Sequence, residues 1–263
     1  MKRCKVGLAL SGGIAKSAAH VGVIRALEEH RVRIDYLSGT SGGSIVAAFY
    51  AAGRTVEEMA RLAGAIRWID LAALTLPRLG FLSSDKIRRF IADEIGDPDF
   101  DELELPLAVV AADISSGAKK VFTEGKVALA CRASSSIPEL YAPVEVDNHS
   151  LVDGSLVEYV PIDALATLGA MFKIGVNLGH AREGLKRPRN LLEVVAQVTN
   201  FIAQQNASVS EAHADFMIHP DLREFSPFAL HRASDILEKG YRETLRVMPD
   251  LKKALREHRR KLS

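Results

Sequence analysis

The run GTSGGS at residues 39–44 sets Ser41 among glycines at positions 39, 42 and 43. Gly39, Ser41 and Gly43 spell G-x-S-x-G, the pattern in which a tight, strained turn leaves a serine hydroxyl exposed at the top of a sheet. A serine hydroxyl is a weak nucleophile at neutral pH. Acyl-transfer chemistry therefore requires a base within hydrogen-bond reach and N–H donors where the carbonyl oxygen becomes anionic. The alternative is a plain glycine-rich strand-to-helix turn.

A second glycine-rich turn, LALSGGIAKSAAH, begins near the N-terminus. Its backbone N–H groups at the start of a helix suit a phosphate or an oxyanion. Nucleotide binding is disfavoured by spacing: neither G-x-G-x-x-G nor G-x-x-x-x-G-K-[ST] fits, although Lys16-Ser17 is present. Two adjacent strand-to-helix turns at one sheet edge can together supply oxyanion donors.

Candidates for the base are of two kinds. In the chain order Ser, Asp or Glu, His, the histidines at 180, 213, 219 and 231 all qualify, and His180 follows a strand end. His149 lies in a turn-like DNH and is the weaker choice. Asp153, in SLVDGSLVEYVP, stands where a strand ends and the backbone bends. Partial burial facing Ser41 would raise its pKa and make it a usable base, whereas a solvated turn aspartate would be a poor one.

These residues need a scaffold, and the chain alternates strand-like and helix-like segments, as in a mainly parallel sheet with helices on both faces. KVGLAL reads as a first strand, residues 16–30 as a helix packed closely on the sheet through Ala18, Ala19 and Gly22, and IDYLSG as a second strand leading to Ser41. PLAVVAADISSG and KKVFTEG read as paired strands, VALACRASSS as a helix entering a serine-rich loop, and APVEVDNHSLVDGS as a hairpin ending at Asp153. FKIGVNLG, residues 190–214, DFMIHP and SDILEKGYRETLRVM complete the pattern as strand, long helix, strand and closing helix. No repeat or linker divides the 263 residues, so one α/β domain is expected, with a basic C-terminal helix at about 250–263.

Composition narrows the classes further. Lys and Arg total 34 against 33 Asp and Glu, a net charge of +1, which gives no global argument for nucleic acid. Cys4 and Cys131 are the only cysteines, too few for a disulfide scaffold or a four-cysteine metal site. The first apolar run ends at Leu10, too short for a secretory signal, and no run reaches the length of a membrane span. A cytoplasmic protein is expected, with peripheral contact to a membrane left open. LAALTLPRLGFLSSDKIRR carries Leu71, Leu74, Leu76, Leu79, Phe81 and Leu82 beside a basic helix, either as an acyl slot or membrane-facing element or as ordinary core.

Taken together, the motifs resemble the patatin-like phospholipase family of compact bacterial type. LSGGIAKSAAHVGVIRALEE matches its glycine-rich loop, GTSGGS its nucleophile turn and LVDGS its D-G-[GA] motif, and the resemblance spans roughly residues 5 to 240. It implies a three-layer α/β/α sandwich with no cofactor or metal. It further implies a Ser-Asp dyad of Ser41 and Asp153, with the N–H groups of Gly12, Gly13 and Ile14 around the oxyanion. The implied activity is hydrolysis of lipid or phospholipid acyl esters, with Lys16 in the loop orienting it or attracting an anionic headgroup. The chain departs from the family pattern at Ile14 and Ser17, where glycines are usual, at Ser155, and at Glu158-Tyr159. A β-branched Ile14 distorts the hole if the turn demands positive φ, and a non-catalytic lipid-binding protein on the same fold is the alternative.

Overall fold

A computed structural model describes residues 3–71, 73–74, 82–179 and 187–262, with no side-chain description for 73, 74, 192 and 196. The strands are β1 (Val6–Leu10), β2 (Tyr36–Thr40), β3 (Ala73–Leu74), β4 (Leu82–Ser83), β5 (Leu107–Asp113), β6 (Lys119–Phe122), β7 (Val144–Val146), β8 (His149–Asp153), β9 (Phe172–Val176) and β10 (Phe216–Ile218). The helices are α1 (Ala18–Glu29), α2 (Gly42–Ala51), α3 (Val56–Ala65), α4 (Trp68–Leu71), α5 (Asp85–Ile95), α6 (Val127–Ser134), α7 (Ile162–Leu168), α8 (Leu191–Glu211) and α9 (Ala233–Lys261).

The central sheet runs β10-β9-β1-β2-β5-β8-β7, with β6 also on β5. Strands β10, β9, β1, β2 and β5 are parallel, whereas β6 and β8 pair antiparallel with β5 and β7 with β8. Parallel strands joined by crossover helices are covered on both faces, which is why VGLAL and LAVVAAD are buried at every position and apolar at all but the terminal Asp113. Alternate residues serve different layers. Leu8, Leu10 and Leu37 pack with α1 and α9, while Ala9 faces the other layer with Ile162 and Leu165 of α7 and Ala203 and Ala207 of α8.

Two helices differ from the sequence reading. Gly22 of α1 faces α9 rather than the sheet, and a Cβ there would lie 2.0 Å from the Leu237 carbonyl oxygen. The basic segment at 250–261 is the last part of α9, which runs 29 residues through Pro249 instead of stopping before it. Pro249 gives up one backbone donor, which a long helix anchored by buried Met248, Leu251 and Leu255 tolerates.

The registers on β5 set up the site. Thr40 of β2 lies opposite Val110, and Asp153 of β8 opposite Ala111. Because β6 pairs with residues 109–112 along the other edge of β5, β2 and β8 share one edge. One is parallel and the other antiparallel to β5, so their C-terminal ends meet head to head between residues 110 and 111.

Candidate active site

Ser41 follows β2 and precedes α2 with φ 52° and ψ −131°, a strained backbone for a residue with a side chain. The neighbouring glycines make the turn possible by close approach. A Cβ on Gly43 would lie 2.3 Å from the Ser11 carbonyl oxygen, and one on Gly39 2.4 Å from the Ser44 Cα. Hydrogen bonds hold the turn: the Ser41 N–H donates to Ser134 Oγ at 2.8 Å, Ser134 Oγ donates to the Val110 carbonyl at 2.5 Å, and Ser44 Oγ donates to the Ser41 carbonyl at 2.6 Å.

The meeting of strand ends brings Ser41 and Asp153 together. Ser41 Oγ donates to Asp153 Oδ2 at 2.6 Å, and Asp153 Oδ1 accepts the Ser155 N–H at 2.8 Å. Asp153 is only 1% exposed, and this burial raises its pKa above the usual carboxylate value, against the opposing pull of the bonds from Ser41 and Ser155. The carboxylate is thus a stronger base than a solvated aspartate and lies within proton-transfer reach of the hydroxyl.

The first glycine-rich turn runs alongside. A Cβ on Gly12 would lie 3.3 Å from Ser41 Cβ. Gly13 has an extended φ of 172°, but Ile14 takes φ 51°, so the turn does demand the left-handed region at that position and a β-branched residue bears it. Among the described residues, the N–H groups of Gly12, Gly13 and Ile14 have no hydrogen-bond partner, and those of Gly42 and Gly43, in the first turn of α2, have none within their helix. Gly42 is absent from the sequence-based donor set; its signal is its place directly after the serine in the strand-turn-helix motif. Ser134 lacks a comparable signal.

The residues that depart from the family pattern do structural work here. Tyr159 donates its hydroxyl to the Gly12 carbonyl at 2.8 Å. Glu158 is buried, paired with Lys119 at 2.8 Å and accepting the Asp163 N–H.

Two cavities meet at Ser41 and Ile14. One, of about 430 Å³, is apolar and includes Val46, Phe49, Phe90 and Leu140, and also Leu71 and Leu82 from the leucine-rich segment. Leu76, Leu79 and Phe81 of that segment lie outside the described residues. The other, of about 800 Å³, is of mixed polarity: Lys16, Asp153, Ser155, Tyr159 and Asn200 share its wall with Leu178, Val195 and Phe225. Burial lowers the Lys16 pKa to about 8, with Asp221 opposing the shift.

His180 lies outside the described residues. His213 pairs with Asp163 at 2.7 Å and His149 with Asp113 at 3.0 Å, and no described histidine lines either cavity.

A buried Ser-Asp hydrogen bond thus lies beside free backbone amides on a mainly parallel α/β sheet. Residues 8–166 match the patatin-like phospholipase family, and the chain belongs to it. Over 186 residues it is 34% identical to an NTE-family protein of Mycobacterium tuberculosis, covering 70% of this chain and 51% of that one. It is 32% identical over 180 residues to a protein of Aspergillus fumigatus named lysophospholipase nte1, covering 66% of this chain and 12% of the other. The chain thus spans about half, or much less, of the curated relatives it matches. The crystal structure of VipD from Legionella pneumophila shares the fold, with a TM-score of 0.65 at 13% identity over 95% of this chain and 67% of that one.

Proposed function

We propose that this protein hydrolyses lipid acyl esters through a Ser41-Asp153 dyad. The observation that carries the reading is the 2.6 Å hydrogen bond from Ser41 Oγ to the buried Asp153 carboxylate. Asp153 accepts the hydroxyl proton as Oγ bonds to the ester carbonyl carbon. The N–H groups of Gly12, Gly13 and Ile14, with that of Gly42, stabilise the oxyanion. Collapse breaks the ester C–O bond, and the Asp153 proton passes to the departing alcohol. Asp153 then takes a proton from water, whose oxygen attacks the acyl-enzyme; the fatty acid leaves and Ser41 regains its proton.

The cavities support the division of the substrate. The apolar cavity suits the acyl chain, and the mixed cavity, with Lys16 in its wall, suits the alcohol portion or headgroup. Lysophospholipid-type esters fit this division and agree with the name of the fungal relatives. Among the described residues no helix is long and apolar enough to cross a membrane, and we place the protein in the cytoplasm, meeting lipid at the membrane periphery.

The test is hydrolysis of p-nitrophenyl esters of increasing chain length and of lysophosphatidylcholine, with wild type, Ser41→Ala, Asp153→Ala and His180→Ala in parallel. The dyad requires loss of about a thousandfold or more in both dyad variants, with turnover retained in His180→Ala. Loss in His180→Ala would instead indicate a Ser-His-Asp esterase. Folded wild type inert toward every ester would indicate a lipid-binding protein.

A further inference from the structure

His20 is a buried titratable side chain that the dyad does not use. It stands in the first turn of α1 between buried Ala19 and Val21, and desolvation lowers its pKa to about 4, so the ring is neutral at pH 7. Its Nε2 lies 2.8 Å from the Ser11 carbonyl oxygen. A carbonyl only accepts, which assigns the ring hydrogen to Nε2. Nδ1 is then an acceptor, and it is buried with no partner. The orphaned Nδ1 costs stability that an apolar side chain at this place would spare. What a histidine supplies here is the bond at Nε2.

That bond grips the entry to the first glycine-rich turn. Ser11 follows β1 directly. Its N–H donates to the Val176 carbonyl at 3.1 Å, and its Oγ accepts the Leu178 N–H and donates to the Gly12 carbonyl, both at 3.0 Å. Its own carbonyl receives His20, and no backbone N–H among the described residues donates there. The same oxygen would lie 2.3 Å from a Cβ on Gly43, which sets this peptide against the first turn of α2, beside Ser41. The Ser11 C=O and the Gly12 N–H belong to one planar trans peptide and point opposite ways, so a donor fixed on the carbonyl fixes the direction of the amide. Tyr159 holds the next peptide in the same manner, through the Gly12 carbonyl. That carbonyl has two donors, Tyr159 and Ser11 Oγ, whereas the Ser11 carbonyl depends on His20.

Resting on the hydrolase reading above, we infer that His20 is a positioning residue for the reaction: by donating to the Ser11 carbonyl it holds the Gly12 N–H in the direction that receives the oxyanion. It acts through the backbone, since it lines neither cavity. The alternative is a histidine that only ties α1 to the end of β1. Such a residue changes stability and leaves turnover by folded enzyme as it was.

The test sets His20→Gln against His20→Met. Gln places an amide NH2 at the reach of Nε2, and Met has the same length without a donor. Each is assayed on p-nitrophenyl octanoate below its own melting range. Gln should keep kcat within about threefold of wild type and Met should lower it by about tenfold or more, part of the roughly 10²–10³ that loss of a whole oxyanion donor costs. The loss should fall on kcat more than on KM, because His20 meets neither cavity. Octylboronic acid, whose adduct with Ser41 sets an oxygen where the oxyanion forms, should bind Met more weakly by a similar factor and Gln as it binds wild type. A Met variant that turns over as wild type does, or a Gln variant that loses as much as Met, overturns the inference. Should Met fail to fold, His20→Asn, whose amide stops short of Ser11, takes its place with the same expectation. If wild type turns over no ester, the hydrolase reading fails separately. The NMR order parameter of the Gly12 amide then decides: lower in Met than in wild type and Gln supports the positioning role, and equal in all three overturns it.

Discussion

The hydroxyl of Tyr159 donates to the carbonyl of Gly12 at 2.8 Å, tying the segment after β8 to the first glycine-rich turn. A trans peptide points its C=O and N–H in opposite directions, so this bond also sets the direction of the Gly13 N–H. Ser11 Oγ donates to the same carbonyl at 3.0 Å, so the acceptor is not orphaned when Tyr159 is altered.

Tyr159→Phe should therefore lower kcat by about fivefold, as expected for one hydrogen bond of about 1 kcal/mol. The acid limb of the pH profile should stay where it is, because Asp153 is not changed. Steady-state kinetics check this, and an unchanged kcat would show that Tyr159 does not orient the turn.

Ile14 poses a balance of opposing terms. Its φ of 51° costs about 1–2 kcal/mol for a residue with a side chain. Ile14→Gly removes that cost but gives up about 1–2 kcal/mol of apolar burial and about 0.5–1 kcal/mol of chain entropy. Chemical denaturation should find the variant within about 1 kcal/mol of wild type. A loss of 3 kcal/mol or more would mean that the backbone strain is not relieved by glycine.

The raised pKa of Asp153 makes the site destabilising at neutral pH. The unfolded carboxylate ionises near its ordinary value, while the folded one holds its proton to higher pH, so stability falls as pH rises from the unfolded value to the folded one. Asp153→Asn, which keeps an acceptor for the Ser155 N–H, should be more stable than wild type at pH 7. The gap should close as pH falls towards about 4. Urea unfolding at both pH values checks the sign. For the same reason, the acid limb of kcat/KM should lie above the ordinary carboxylate range.

His20 acts in the opposite sense. It is fully buried, with Nε2 bonded to the Ser11 carbonyl at 2.8 Å, and desolvation lowers its pKa to about 4. The unfolded chain protonates this histidine near 6.5 and the folded one does not, so stability should fall between pH 6.5 and about 4, by roughly 3 kcal/mol in all. His20→Gln, which can still donate to Ser11, should lose this dependence. A pH series of thermal melts on both proteins measures it.

Much of this site is legible locally. G-x-S-x-G, the SGG turn and D-G at a strand end are short patterns whose chemistry depends on neighbours in the chain, and the alternation of apolar runs reports an α/β sheet because parallel strands are buried on both faces. Ser134, Gly42 and Tyr159 are less legible. Their parts depend on which atoms they meet, and Ser134 meets Ser41 across 93 positions of sequence.

The sequence by itself determined the α/β class, the two glycine-rich turns and the candidate pair Ser41 and Asp153, because each rests on residue type at fixed short spacing. Only the tertiary structure decided that Ser41 and Asp153, 112 positions apart, share a hydrogen bond and that Ile14 takes the left-handed region. The physical reason is strand register. Thr40 and Asp153 lie opposite consecutive residues of β5, and a one-residue slip of either strand would turn its side chains to the other face of the sheet.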